Sequence, residues 1–359
     1  MDKIKLRQIC FLFAGMMPLT KMIVYPAMLA YQAKNDLLFA ALGNFLLEGA
    51  VIALLMLLAS RTDCTFFDLL QNTFGKIAAK IIYGLFAAFF LFSAILPILE
   101  QKTFVLQVFY ENVPSFLSFA PFFAVSFFAS VKGFKSIGRA ADLALPVTAL
   151  SLAVILLLSV PQAEFSALLP IGGTGIRGIF SGSLYGLNWY TDCLYPLFFL
   201  GHFKYEKHAA GKVMLSYAAG SAVVLLFLAI FYGIFSDIAL RQINTIAQIS
   251  KYTTAYTTLG RIDLFFIFAA ALPLVFYLCV PAQMCVHCIR KIAPSCNPIF
   301  PAAIVNGAML IAAIFLNYSF LEVQTLFTQK LWWVFALFCY AIPVLSLLLK
   351  RSKGDSRHE

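Results

Sequence analysis

The chain has 359 residues, of which 62% are hydrophobic and only 12% charged, and its mean hydropathy is +0.89. That leaves too little polar surface to coat a water-soluble globule, so lipid must be the solvent for most of the chain. The net charge of +10 does not point to nucleic acid, because Lys and Arg are spread among short connections instead of gathering on one face.

Apolar runs long enough to cross a hydrocarbon core of about 30 Å as helix recur from end to end. In chain order they predict spans at 8–31, 37–60, 79–106, 116–131 and 137–160, then at 180–203, 213–235, 262–287, 299–316 and 331–349. Lys3, Lys5 and Arg7 give the opening a signal-peptide look, but the many runs that follow make 8–31 a first transmembrane helix. The fold class expected is therefore an all-α membrane protein of about ten transmembrane helices, one polytopic domain over 1–359. An even count puts both termini on one side, and most of the 26 Lys and Arg residues fall on the inside if that side is the cytoplasm. The chain is thus expected to be integral to a membrane with both termini cytoplasmic.

Two outer connections exceed simple tethers: 161–179, with Pro170 and a Gly-rich stretch, and 236–261, rich in Thr, Gln and Ile. Each reads as a lid, a partner surface or a plain connector. The eight cysteines show no secreted-framework spacing and read as small buried hydrophobes. Cys285, His287 and Cys288, with Cys296 nearby, are the one cluster with metal-like spacing; a second ligand pair is missing, so no metal or cofactor is expected.

Spans one and six carry the most informative pattern. The first reads Gly15-Met-Met-Pro18-Leu-Thr20-Lys21-Met-Ile-Val-Tyr25-Pro26 and the sixth Gly186-Leu-Asn188-Trp189-Tyr190-Thr191-Asp192-Cys-Leu-Tyr195-Pro196. In both, a glycine is followed six residues later by an ionisable group and then, within five more, by a proline. Two five-helix halves, about 8–160 and 180–350, must lie inverted to each other because five is odd. The plan expected is then a five-plus-five inverted repeat with discontinuous helices 1 and 6 meeting at mid-membrane, where half-helix ends receive a small zwitterion. The alternative is that Pro26 and Pro196 merely kink their helices.

Substrate-binding residues expected on this plan are Gly15, Met17, Pro18, Thr20, Lys21, Tyr185, Gly186, Asn188, Trp189 and Asp192. Lys21, Glu48 and Asp192 lie near the centres of their spans, where an unpaired charge costs at least about 2.5 kcal/mol. They are expected to form one charge network able to hold a proton, with Lys21 facing Asp192 and Glu48 close by; a purely structural ion pair is the competing reading. Glu100, beyond Pro97, reads as an entrance or interfacial charge nearer the outer surface, and Asp142 as a member of an interfacial pair. His202 and His208 belong to a basic inner loop, and Trp332 and Trp333 to an interfacial belt. Tyr185, Trp189 and Tyr190 either wall a pocket or pack. No phosphate-binding loop or Gly-x-Ser-x-Gly elbow occurs, so no enzymatic activity is expected.

These blocks, in this order, resemble the spore germination permease family within the amino acid, polyamine and organocation superfamily. The resemblance rests on Leu6-Arg7-Gln8, Pro26 closing the first span, Gly133, Ile137 to Asp142, and Leu169-Pro170-Ile171. It is strongest from Ile246 to Tyr256 into Gly260-Arg261-Ile262-Asp263. The resemblance implies the B subunit of a spore germinant receptor, working with an A-type subunit and a lipoprotein C-type subunit and binding a small germinant, usually an amino acid. An autonomous proton-coupled amino-acid transporter would use the same architecture. A membrane scaffold with a degenerate pocket is the third reading.

Overall fold

The computed structural model describes residues 4–62, 64–109, 115–254, 262–316 and 319–345, with side chains described except at 102–109, 115–119, 145, 251–254 and 262–274. Among the described residues the chain is all-helical, with a single isolated bridge between Ile4 and Phe203 as its only β pairing. The helices are α1 Leu6–Phe11, α2 Met17–Thr20, α3 Tyr25–Ala33, α4 Leu37–Arg61, α5 Phe66–Phe74, α6 Lys76–Phe109, α7 Ser115–Lys132 and α8 Phe134–Ser159. There follow α9 Gly175–Gly186, α10 Leu194–Phe199, α11 Ala209–Phe235, α12 Thr245–Thr254, α13 Ile262–Ile292, α14 Ile299–Phe315, α15 Phe320–Thr325 and α16 Trp332–Phe335.

Where described, each predicted run is mostly helical, 346–349 of the last lying outside the described residues, and the chain leaves helix at 21–24 and 190–193. Three helical runs are long and apolar enough to cross a membrane, Tyr25–Arg61, Lys76–Gln101 and Ala209–Arg241, or up to five if each of two bent pairs counts as one span. The run Tyr25–Arg61 folds back at a turn over Lys34–Asp36, where Lys34 takes φ 44°. Gly186 therefore faces both Tyr25 and Asn44, and Gly182 both Ala33 and Ala40.

Three contacts fix how the two interrupted helices run. At one end the Ile4 amide donates to the His202 carbonyl at 2.8 Å. In the middle Lys21 pairs with Asp192. At the other end Asp36 accepts from the Gly172 amide at 2.6 Å and from the Thr174 amide and hydroxyl at 2.8 and 2.6 Å, while Asn35 donates to the Pro170 carbonyl. The start of each helix thus lies beside the end of the other, antiparallel, with their breaks level. Around this pair α11 packs on α4, and α13 packs on α6, α7, α8 and α14.

The Asp36 contacts tie the 161–179 connection to the turn between α3 and α4. Burial opposes the Asp36 charge, but hydrogen bonds from Thr174 and Gly172 outweigh it and hold the carboxyl below the ordinary carboxylate range. A lowered folded pKa contributes stability that is present above the unfolded value and lost as pH falls through the folded one. Asp36→Asn is accordingly expected to lower stability at neutral pH by about 1–3 kcal/mol, with the gap to wild type closing in acid. Thermal midpoints of the two purified proteins across pH test this.

Asp142 forms its interfacial pair with Arg7, Nη2 to Oδ2 3.1 Å, and also accepts from Gln8 Nε2 at 2.9 Å, which pins α1 to α8. Trp333 is exposed and Trp332 partly so. Cys285, His287, Cys288 and Cys296 form no metal-ligand group, and none exists among the described residues; Cys285 Sγ instead lies 3.4 Å from the Ala87 carbonyl. Residues 255–261, with Tyr256, Gly260 and Arg261 of the familial block, lie outside the described residues.

Candidate functional site at the two helix breaks

The first break begins with a π turn over Leu12–Met16, continues through α2 with Pro18 in its first turn, and leaves 21–24 non-helical before α3 restarts at Tyr25 and Pro26. Proline suits a helix start, where its missing N–H would have had no partner. The second break runs from a 3-10 turn over Leu187–Trp189 through non-helical 190–193 to α10, with Pro196 in its first turns. Free backbone groups at such breaks need partners away from water.

Those partners come from elsewhere in the chain. The Thr245 hydroxyl donates to the Met22 and Ile23 carbonyls, and the Thr245 amide donates to Ile23 at 2.9 Å. The 236–261 connection, which could have been a loose tether, therefore seals the first break at the start of α12. At the second break Glu48 Oε1 accepts from the Asp192 amide at 2.8 Å and from Cys193 at 3.3 Å, so a carboxylate from α4 occupies the N-terminal end of α10. The Tyr340 hydroxyl donates to the Tyr190 carbonyl at 2.9 Å. Thr245→Val is expected to cost about 1–3 kcal/mol by removing the hydroxyl donor from the Met22 carbonyl, the Ile23 carbonyl keeping the residue-245 amide, whereas Thr245→Ser keeps the bond. Denaturation of the three proteins separates the cases.

Between the breaks lies the predicted charge network. Lys21, Glu48 and Asp192 are all buried, with exposures of 0, 0 and 3%. Lys21 Nζ is paired with Asp192 Oδ2, lies 3.9 Å from Glu48 Oε2, and sits 4.7 Å from the centre of the Tyr190 ring. Glu48 Oε2 also accepts from the Tyr217 hydroxyl at 3.0 Å. The Tyr25 and Tyr190 hydroxyls, one from each break, are 2.9 Å apart. Two carboxylates thus share one ammonium inside a cage of tyrosines. If all three are ionised, one negative charge remains uncompensated, which at this depth favours a bound proton or a second cation.

The other expected site residues are divided. Gly186 faces Tyr25 and Asn44 across the helix pair. Trp189 is buried and donates Nε1 to Glu100 Oε1 at 3.0 Å. Asn188 is half-buried with its Oδ1 unpartnered, and Tyr185 is half-buried. Gly15 is buried in the π turn, Met17 and Pro18 pack on Gly220 of α11, and Thr20 donates to the Met17 carbonyl at 2.8 Å. Gly15, Met17, Pro18 and Thr20 thus belong to the first break itself.

Glu100 corrects an expectation. Read as an entrance charge, it is fully buried, and Trp189 of the second break reaches across to it; its Oε2 has no partner among the described residues. Sequence reasoning also missed Tyr217, Tyr340 and Thr245, each brought in from a distant helix. Only Tyr25 and Tyr190 carried a local signal, by flanking the breaks.

Among curated proteins none matches the chain significantly. A family model described as spore germination protein matches residues 3–322.

Proposed function

The chain belongs to the spore germination protein family, an integral membrane permease group, and from that premise we propose that it is the B subunit of a germinant receptor. It binds a small germinant, an amino acid by preference, at the helix breaks and passes a conformational change to A-type and lipoprotein C-type partners. It does so without catalysing a covalent step, from a bacterial inner membrane with both termini cytoplasmic, in a ten-helix, five-plus-five inverted repeat. The observation that carries this reading is the buried set of Lys21, Asp192 and Glu48 where two antiparallel broken helices meet.

The set already contains the groups that an amino acid would bring. Lys21 offers an ammonium to Asp192, and Glu48 offers a carboxylate to the main-chain amides of Asp192 and Cys193. A zwitterion would exchange with these internal stand-ins, its carboxylate going to Lys21 or the amides and its ammonium to the freed carboxylates. The surplus carboxylate favours the ammonium end. Binding by exchange favours an altered helix arrangement over passive filling, which is what a receptor requires.

Titrating the purified chain with a panel of amino acids tests the proposal. At least one is expected to bind saturably, with at least about tenfold weaker binding to Asp192→Asn, the loss of one charged contact. No binding by any of them, or equal binding by the variant, removes the site from consideration. Uptake of a bound amino acid into vesicles containing this chain alone would assign an autonomous proton-coupled transporter instead.

A further inference from the structure

A second polar concavity lies at the junction of α7, α8 and α13, with His202 entering from the turn after α10. It has a volume of about 350 Å³ and is bordered by Lys132, His202, Gln283, His287, Arg290 and Lys291. Three of these are permanent cations, and no acidic side chain is among the described lining residues. Lys132 and Arg290 are exposed, while the Lys291 ammonium lies 5.7 Å from the centre of the Phe67 ring. Asp68, on the same helix as Phe67, accepts hydrogen bonds from Thr65 at the start of α5.

The walls carry buried polar atoms that no described residue satisfies. Gln283 is only 3% exposed, yet its Oε1 has no partner among the described residues. A carboxamide presents either its oxygen or its NH₂ by rotation about its last torsion, so it can donate into the space. His202 Nε2 is likewise buried without a partner, and its ring is 5.1 Å from that of His287. Gly133 caps the 26-residue helix α8 with φ 85° and has no side chain to accept from the first-turn amides. An added Cβ there would stand 3.9 Å from Gln283 Nε2, which places the amide group beside the helix start. Helix start, amide, imidazole and cations converge on one volume, the combination that receives oxyanions.

We propose that this cavity binds a phosphate group, supplied by the headgroup of an anionic lipid. Lys132 and Arg290 draw the anion from the surface, and Gln283, His202 and the start of α8 receive its oxygens. The cavity does not depend on the germinant site, and its test does not involve that ligand.

The experiment titrates the full purified chain, in a neutral detergent, with short-chain phosphatidylglycerol, short-chain phosphatidylcholine and inorganic phosphate. Expected is saturable binding of the anionic lipid in preference to the zwitterionic one, weakened at least about tenfold in Lys132→Gln/Arg290→Gln, where two cations are lost. Arg290→Lys should retain most of the affinity, and Lys204→Gln/Lys207→Gln, which removes two charges from the connection that carries His202 without touching the cavity lining, should retain all of it. Competition by inorganic phosphate would show a site for phosphate from any source; its failure to compete would show that the lipid's glycerol is also read. Either result sustains the phosphate site. Absence of saturable binding, or equal weakening in both double variants, overturns it, and a thermal midpoint shared with wild type shows that the Lys132→Gln/Arg290→Gln protein is folded.

Discussion

Lys21→Met is expected to destabilise the purified chain by about 3–5 kcal/mol, the cost of leaving buried charge uncompensated when one partner is removed. In the native structure Lys21 answers both Asp192 and Glu48, and none of the three reaches solvent to any useful degree. Methionine keeps much of the volume, so the loss registers charge more than packing. Lys21→Met/Asp192→Asn should recover a substantial part, because removing both members of a buried pair is far less harmful than removing one. Thermal or denaturant unfolding in detergent measures all three proteins. A Lys21→Met protein as stable as wild type would mean that the carboxylates are hydrated and that the pairing contributes nothing.

Gly220→Ala should be the most disruptive single-methyl change in α11. A Cβ at this position would stand 2.4 Å from the Phe13 carbonyl oxygen, 2.9 Å from Met17 Cε and 3.3 Å from Pro18 Cγ. Met17 can swing aside, but the Phe13 carbonyl belongs to the backbone entering the π turn and moves only if the first break moves. Overpacking of this kind costs about 1–3 kcal/mol. Gly211→Ala, in the first turn of the same helix, provides the contrast: nothing lies within 4 Å of its added methyl, and replacing glycine by alanine there gains up to the roughly 0.5–1 kcal/mol of a mid-helix position. The two unfolding midpoints should shift in opposite directions.

The difference between these glycines also shows where sequence reasoning reaches its limit. The interruptions near Lys21 and Asp192 were legible because glycine, proline and charge inside an apolar run conflict with an unbroken helix, and that conflict is local. The pairing of Lys21 with Asp192 was legible because an isolated charge in lipid is too costly to leave alone. Gly220 carried no such mark; what demands its small size is a carbonyl from another helix. Glu100 was misplaced for the same reason, since its position beyond Pro97 says nothing of Trp189 arriving from the second break. Thr245 stands more than two hundred residues from the carbonyls it caps, so only the folded chain reveals it.

The pairing of Ile4 with the turn at His202 and Phe203 has a mechanical consequence. It yokes α1 to α10 at the ends farthest from Lys21 and Asp192, with pivots at the two unwound stretches. A tilt of either segment would be passed to its companion, so the two would move as one coupled pair of rods.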